Sequence, residues 1–292
     1  MKSLKFNITT PIIMAGADKD KVELREQSIK GILRWWFRFY KGGSLNLNDL
    51  RKNESEIFGS QELASRVKLR IKNKPSKIID AYLCMNDRRK NGENGAKRNY
   101  IAIRRKSLSE NKDFQIEFRF LKPCDEVKIE NELIETIFFM TNFGGIGARW
   151  RRGFGSIQLD NENEDFEKIK KEIKQKLASF PKNSNNNDFM NISNTSIYLI
   201  TKKDGNLWNS WQDCMNDLRD NFYRALKNKL NVDKIILGRA SPLIIQIKKA
   251  KEGYYGVVLL WNRWLTEEIN KRINELIEGK FNLIEIHKTE GG

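Results

Sequence analysis

Six segments in the second half of this chain alternate so strictly that few folds accommodate them. Ser193–Lys202 (SNTSIYLITK) has strand character, and Trp208–Leu230 carries Trp211, Met215, Leu218, Phe222 and Leu226 at helical spacing. Pro242–Lys249 and Tyr254–Trp261 are apolar runs joined at Glu252-Gly253, which predicts a hairpin. Thr266–Gly279 reads as a second helix, capped by Thr266 and Gly279, and Phe281–His287 closes as a strand. The order β-α-β-β-α-β is the ferredoxin-like arrangement.

The first half repeats that order with insertions. Leu4–Ile13, Arg66–Ile71, Phe114–Leu121 and Phe154–Leu159 are strand-like. Ser28–Lys41, capped by Ser28, and Glu130–Asn142 are helical. Asn86–Ser109 is a polar, basic insertion. A charged helix, Phe166–Leu177, precedes Pro181 and the run NSNNND, which reads as a linker. The expectation is an α+β protein of two ferredoxin-like (RRM-like, βαββαβ) domains in tandem. Residues 1–160 form the first, 161–191 a helix and linker, and 192–292 the second.

Charge narrows the partner. The 292 residues hold 54 Lys plus Arg against 38 Asp plus Glu, a formal net charge of +16. Such an excess attracts nucleic acid, an anionic membrane or an acidic protein. No run approaches the ~20 apolar residues of a membrane span, and the N-terminus lacks the apolar core of a signal peptide. Cys84, Cys124 and Cys214 are scattered without CxxC spacing, which fits a reducing cytoplasm and argues against disulfides and zinc.

Two clusters carry the charge most suggestively. Phe143–Ser156 (FGGIGARWRRGFGS) sets Gly144, Gly145, Gly147, Gly153 and Gly155 around Arg149, Arg151 and Arg152. Glycines allow backbone amides to approach a ligand, and guanidinium forks match phosphate oxygens. A helix precedes the loop, a strand follows it, and GK[ST] is missing, so it is no phosphate-binding P-loop. Arg152-Gly153-Phe154-Gly155 matches only the opening of the RNP1 pattern. A helix C-cap followed by a turn is the plainer alternative.

The second cluster is the helix Ser28–Lys41, where Lys30, Arg34, Arg38 and Lys41 share one side and Ile29, Leu33, Trp36 and Tyr40 the other. Such a stripe is explained by a phosphate backbone, by a buried carboxylate, or by simple solvation. The insertion Asn86–Ser109 adds a basic arm of the kind that tracks nucleic acid.

Catalytic signals are sparse. His287, the only histidine, sits near the end of the chain without a visible partner, and HExxH and DxD motifs are absent. No metal or cofactor set emerges. The candidate RNA-binding residues are therefore Lys30, Arg34, Arg38, Gly144, Gly145, Gly147, Arg149, Arg151, Arg152 and Gly153.

Several segments together resemble one family. PIIMAGAD (Pro11–Asp18), LREQSIKGILRWWFRFY (Leu24–Tyr40), EIFGS (Glu56–Ser60), GGIGARWRRGFGS (Gly144–Ser156) and GRASPLIIQI (Gly238–Ile247) are similar to the RAMP proteins of CRISPR systems. Within them the set is most similar to the subunit-one family of the type III-B Cmr effector complex. The resemblance implies assembly with other Cmr subunits, CRISPR RNA and target RNA. It implies a cytoplasmic, non-catalytic role at the head of the complex, near the guide 3′ end, in target-RNA capture during antiviral defence. The alternatives are a RAMP endoribonuclease that processes CRISPR RNA, or another head subunit of the same complex.

Overall fold

The computed structural model describes residues 2–18, 21–86, 100–160, 164–181, 188–223, 243–262, 271, 273, 275 and 279–289. The chain is mixed α/β, built on two four-stranded antiparallel sheets. The first contains β1 (Lys2–Ile8), β2 (Val67–Lys72), β5 (Asp113–Phe120) and β6 (Ile157–Leu159), in the order β2-β5-β1-β6. The second contains β7 (Thr195–Lys202), β8 (Leu243–Ala250), β9 (Gly253–Trp261) and β10 (Phe281–His287), in the order β10-β7-β9-β8. If the four strands of each sheet are numbered along the chain, both orders read 4-1-3-2.

Alternation in the strands explains the layers. In β2, Val67, Leu69 and Ile71 are buried while Lys68 and Arg70 are exposed; in β5, Phe114, Ile116 and Phe118 are buried. The buried side faces α1 (Glu26–Lys41) and α3 (Glu126–Phe143), where Phe37, Phe39 and Phe139 are fully enclosed. Helix α3 begins a turn earlier than its apolar spacing predicts, because the Asp125 side chain accepts the Lys128 N–H at 3.0 Å. Helix α1 starts at Glu26 without a side-chain cap, so Ser28 lies inside the first turn and is not the cap. The Glu26 carboxylate instead accepts the Ile71 N–H at 3.2 Å, which ties the helix start to β2.

Three features depart from the sequence reading. Helix α2 (Leu47–Phe58) was not anticipated; its Asn46 side chain accepts the Asp49 N–H at 2.9 Å. The polar insertion is a two-stranded ribbon, β3 (Ile78–Asn86) paired with β4 (Tyr100–Leu108), while residues 87–99 lie outside the described part. The expected helix from Trp208 begins only at Trp211 as α5 (Trp211–Asp217), then widens into a π-helix at Leu218–Tyr223. Trp208 instead exchanges backbone hydrogen bonds with Tyr254. Residues 224–242 and most of Thr266–Gly279 lie outside the described residues.

The helix expected ahead of the linker is packed, whereas residues 182–187 of that linker lie outside the described residues. Helix α4 (Phe166–Leu177) buries Phe166, Ile169, Ile173 and Leu177, and the Phe166 ring sits 4.9 Å from that of Tyr255 in β9. One apolar core joins Phe6 and Phe139 of the first half to Leu199, Tyr255 and Val257 of the second.

Candidate nucleic-acid interface

The glycine–arginine loop leaves α3 at Phe143 and is strapped to the segment after β1. Ala148 N–H donates to the Ile13 carbonyl at 2.7 Å, Gly155 N–H to Pro11 at 2.9 Å, and the Thr10 hydroxyl to the Gly153 carbonyl at 2.7 Å. Ile146 N–H closes the loop on the Gly155 carbonyl at 2.8 Å. The loop is therefore a built platform.

That construction reassigns the glycines. A Cβ on Gly144 would meet the Trp36 indole at 2.4 Å, and one on Gly145 the Gly155 carbonyl at 2.5 Å. At Gly147 and Gly153, with φ of 86° and 85°, it would meet the Ile13 carbonyl and Met215. Gly144, Gly145 and Gly153 are buried. These positions are glycine because the chain packs on itself there, not because a ligand approaches their amides, which corrects the sequence reading.

The arginines divide by environment. Arg152 N–H donates to the Arg149 carbonyl at 2.8 Å, closing a turn with Trp150 and Arg151 at its tip. Arg149 has φ of 62°, a left-handed conformation that L residues adopt at a cost of roughly 1–2 kcal/mol. Strain of this kind concentrates at functional sites. The Arg151 guanidinium lies 5.0 Å from the Trp35 ring and 5.3 Å from the Trp150 ring, and burial lowers its pKa. Trp35 and Trp150 meet edge-on at 5.2 Å. Arg152, the next residue along the turn, is exposed. A guanidinium stacked on indoles, followed in the chain by an exposed arginine, is chemistry suited to phosphates and bases.

The stripe on α1 is not an open track. Arg34 Nε lies 2.7 Å and Arg38 Nε 3.6 Å from the two oxygens of Glu54, a buried carboxylate supplied by α2. Lys41 pairs with Glu132 of α3 at 2.7 Å. Lys30 turns inward to the Ser65 hydroxyl at 2.5 Å and the Val67 carbonyl at 3.4 Å, and burial, then Arg34, lowers its pKa. Of the three explanations for the stripe, the buried carboxylate holds. Glu54 is the residue that sequence reasoning missed, because its helix was missed.

The loop also crosses into the second half. Ile245 N–H, on the edge strand β8, donates to the Arg151 carbonyl at 3.0 Å, and the Gln246 side-chain amide donates to the Trp150 carbonyl. The Gln158 side chain accepts the Lys249 N–H at 2.7 Å and donates to its carbonyl at 3.0 Å, imitating a strand partner. Lys248, fully buried, donates to the carbonyls of Gly144 at 2.7 Å and Ile157 at 2.9 Å. Burial holds its amine well below the usual lysine pKa.

The remaining candidates lie elsewhere. Phe154, the aromatic of the partial RNP1 match, packs with Ile13 and Ala81 at the root of the β3–β4 ribbon. His287 is buried on β10, at the sheet edge opposite β8, with Nε2 3.0 Å from the Ile192 carbonyl. No cluster of three metal-ligating side chains occurs among the described residues, and none of their helices is long and apolar enough to cross a membrane.

Comparison with known proteins gives the architecture a family. The RAMP superfamily model matches residues 5–158. CRISPR system Cmr subunit Cmr1-2 of Pyrococcus furiosus is 31% identical over 175 residues, covering 51% of this chain and 90% of that protein. The crystal structure of apo Cmr1 from the same organism superposes with a TM-score of 0.62 at 15% identity, covering 98% of each chain. A chain in a cryo-EM structure of type III-B Cmr-beta bound to cognate target RNA gives a TM-score of 0.57 at 12% identity, over 94% of this chain and 99% of that one. The two superpositions concern the fold. Since the family match spans more than half of the sequence and the Cmr relative is covered over nine-tenths of its length, this chain belongs to the RAMP superfamily, among its CRISPR Cmr subunits.

Proposed function

We propose that this chain is a non-catalytic, RNA-binding subunit of a type III-B CRISPR effector complex. It consists of two ferredoxin-like units with boundaries near residues 160 and 192, joined by the packed helix α4. In the cytoplasm it sits at the head of the complex, near the guide 3′ end, and helps capture target RNA. The 4-1-3-2 order of both sheets supports the two-unit reading. The similar Cmr-beta assembly bound to cognate target RNA supports the choice of ligand.

One observation carries the RNA-binding assignment. The turn Arg149–Arg152 presents an exposed Arg152 next in the chain to Arg151, which lies over Trp35 and Trp150, on a loop held by backbone hydrogen bonds from two directions. Arg152 meets phosphate, and the indole pair with its stacked Arg151 offers a flat surface to a base. The burial of His287 at the far edge of the second sheet argues against the endoribonuclease reading, which needs an accessible acid–base group.

The test is single-stranded RNA binding by the full chain at several salt concentrations. Arg152→Gln is expected to weaken binding and to lower the slope of log K against log salt by about 0.7, the value for one lost phosphate contact. An unchanged slope removes Arg152 from the interface.

A further inference from the structure

A second charged surface lies far from the loop. On the outer face of the first sheet, Lys68 of β2 stands directly opposite Arg119 of β5, and Arg70 follows two residues along. All three are exposed on rigid strands, and none has an ion-pair partner among the described residues. Like charges directly opposite in an antiparallel pair are destabilising. Arg70 faces Glu117 across the strands, a carboxylate that Lys72 approaches at 3.9 Å, so the like-charge pair is Lys68 with Arg119. Leu121, immediately after β5, is 43% exposed at the same end.

The patch cannot share the loop's contact. Counting strand spacings across the sheet and residues along it, Lys68 lies roughly 25 Å from Ile157, where the loop enters β6. The face between them carries Asp113 and Asp160, grouped around Lys5 at 3.3 and 3.4 Å. A phosphate chain running from loop to patch would cross those carboxylates. The face also lacks the aromatic platforms that hold bases: its outward residues are Ser3, Lys5 and Asn7 on β1, Gln115, Glu117 and Arg119 on β5, and Lys68, Arg70 and Lys72 on β2. Unneutralised cations fixed beside an exposed leucine are complementary to the mixed acidic and apolar surface of a protein.

We propose that the Lys68–Arg70–Arg119 face docks an acidic surface of a neighbouring protein subunit. The inference rests on the reading of this chain as a subunit of a Cmr effector. The opposed cations accept a cost in the isolated chain that the partner's carboxylates remove on assembly.

The experiment co-expresses the tagged full chain with the other Cmr subunits of its own genome and purifies the assembly. The triple variant K68E/R70E/R119E, which alters only exposed side chains, is compared with wild type; single-stranded RNA binding by each purified chain is measured in parallel. The expected result is at least tenfold lower retention of one subunit by the variant, with RNA affinity changed less than twofold. Carbodiimide treatment of the wild-type assembly is expected to join the Lys68 amine to an Asp or Glu of that subunit. Undiminished assembly of the variant overturns the proposal, and so does a parallel loss of RNA affinity, which would make the face an RNA surface. Wild-type chain that retains no subunit refutes the effector reading itself, and this proposal with it.

Discussion

Alanine at Gly155 measures whether the loop glycines serve packing or ligand approach, and two other glycines calibrate it. Gly31 lies exposed within α1 with nothing near its missing Cβ, so Gly31→Ala is expected to stabilise by about 1 kcal/mol through helix propensity. Gly205 has φ of 83° and open space around it, so Gly205→Ala isolates the left-handed backbone cost of roughly 1–2 kcal/mol. Gly155 combines φ of 65° with a Cβ position 1.9 Å from the Ile146 carbonyl oxygen, far inside contact distance. Relief requires a backbone shift that loosens the 2.8 Å bond from Ile146 N–H and the 2.9 Å bond to Pro11. Each bond contributes about 1 kcal/mol. Gly155→Ala should therefore cost about 3–5 kcal/mol. At roughly 2–4 °C per kcal/mol, thermal unfolding followed by circular dichroism should drop by about 6–20 °C. Gly205→Ala should fall by only a few degrees, and Gly31→Ala should rise slightly. A Gly155→Ala melting temperature within about 2 °C of Gly205→Ala refutes the packing argument.

Glu54→Gln leaves Arg34 and Arg38 facing a neutral amide at a buried site; with both arginines partly exposed, the loss should be about 1–3 kcal/mol in urea titrations. Arg151→Lys keeps the charge but loses the planar stack on Trp35 and Trp150, worth about 0.5–1 kcal/mol. RNA affinity should fall severalfold with the salt slope unchanged, and a lowered slope would make Arg151 a phosphate ligand. The Asp160 carboxyl is held below its ordinary pKa of 3.8, first by the Asn7 amide and then by Lys5. A depressed folded pKa contributes stability that is present above the unfolded value and lost as pH falls through the folded one, so the contribution disappears below about pH 4. Asn7→Ala should raise the Asp160 titration midpoint seen by NMR, and no movement would remove the amide as its cause.

Strand signals were legible because alternation is local. Val67–Leu69–Ile71 and Phe114–Ile116–Phe118 announce one buried face whatever they meet across the sheet. Helix α4 was equally plain, with four apolar residues on one stripe. Helix α2 was overlooked although Asn46 and Asp49 offered a start signal with Leu50 and Ile57 behind it, because the charged residues between them dilute the stripe. Trp208 read as helical by spacing alone, yet its backbone found a partner in Tyr254, 46 residues away, which no local pattern encodes.

The sequence by itself determined where charge and glycine accumulate, where the strands of both sheets lie, and the family. Those properties follow from residue type and spacing along the chain. Only the tertiary structure decided what each cation does. Arg34 and Arg38 meet a carboxylate from another helix, and Lys30 folds inward. Arg151 lies on two indoles, whereas Lys68, Arg70 and Arg119 are left facing solvent. A charge is neutralised by whatever stands within a few ångströms of it, and that neighbour is set by packing between distant segments.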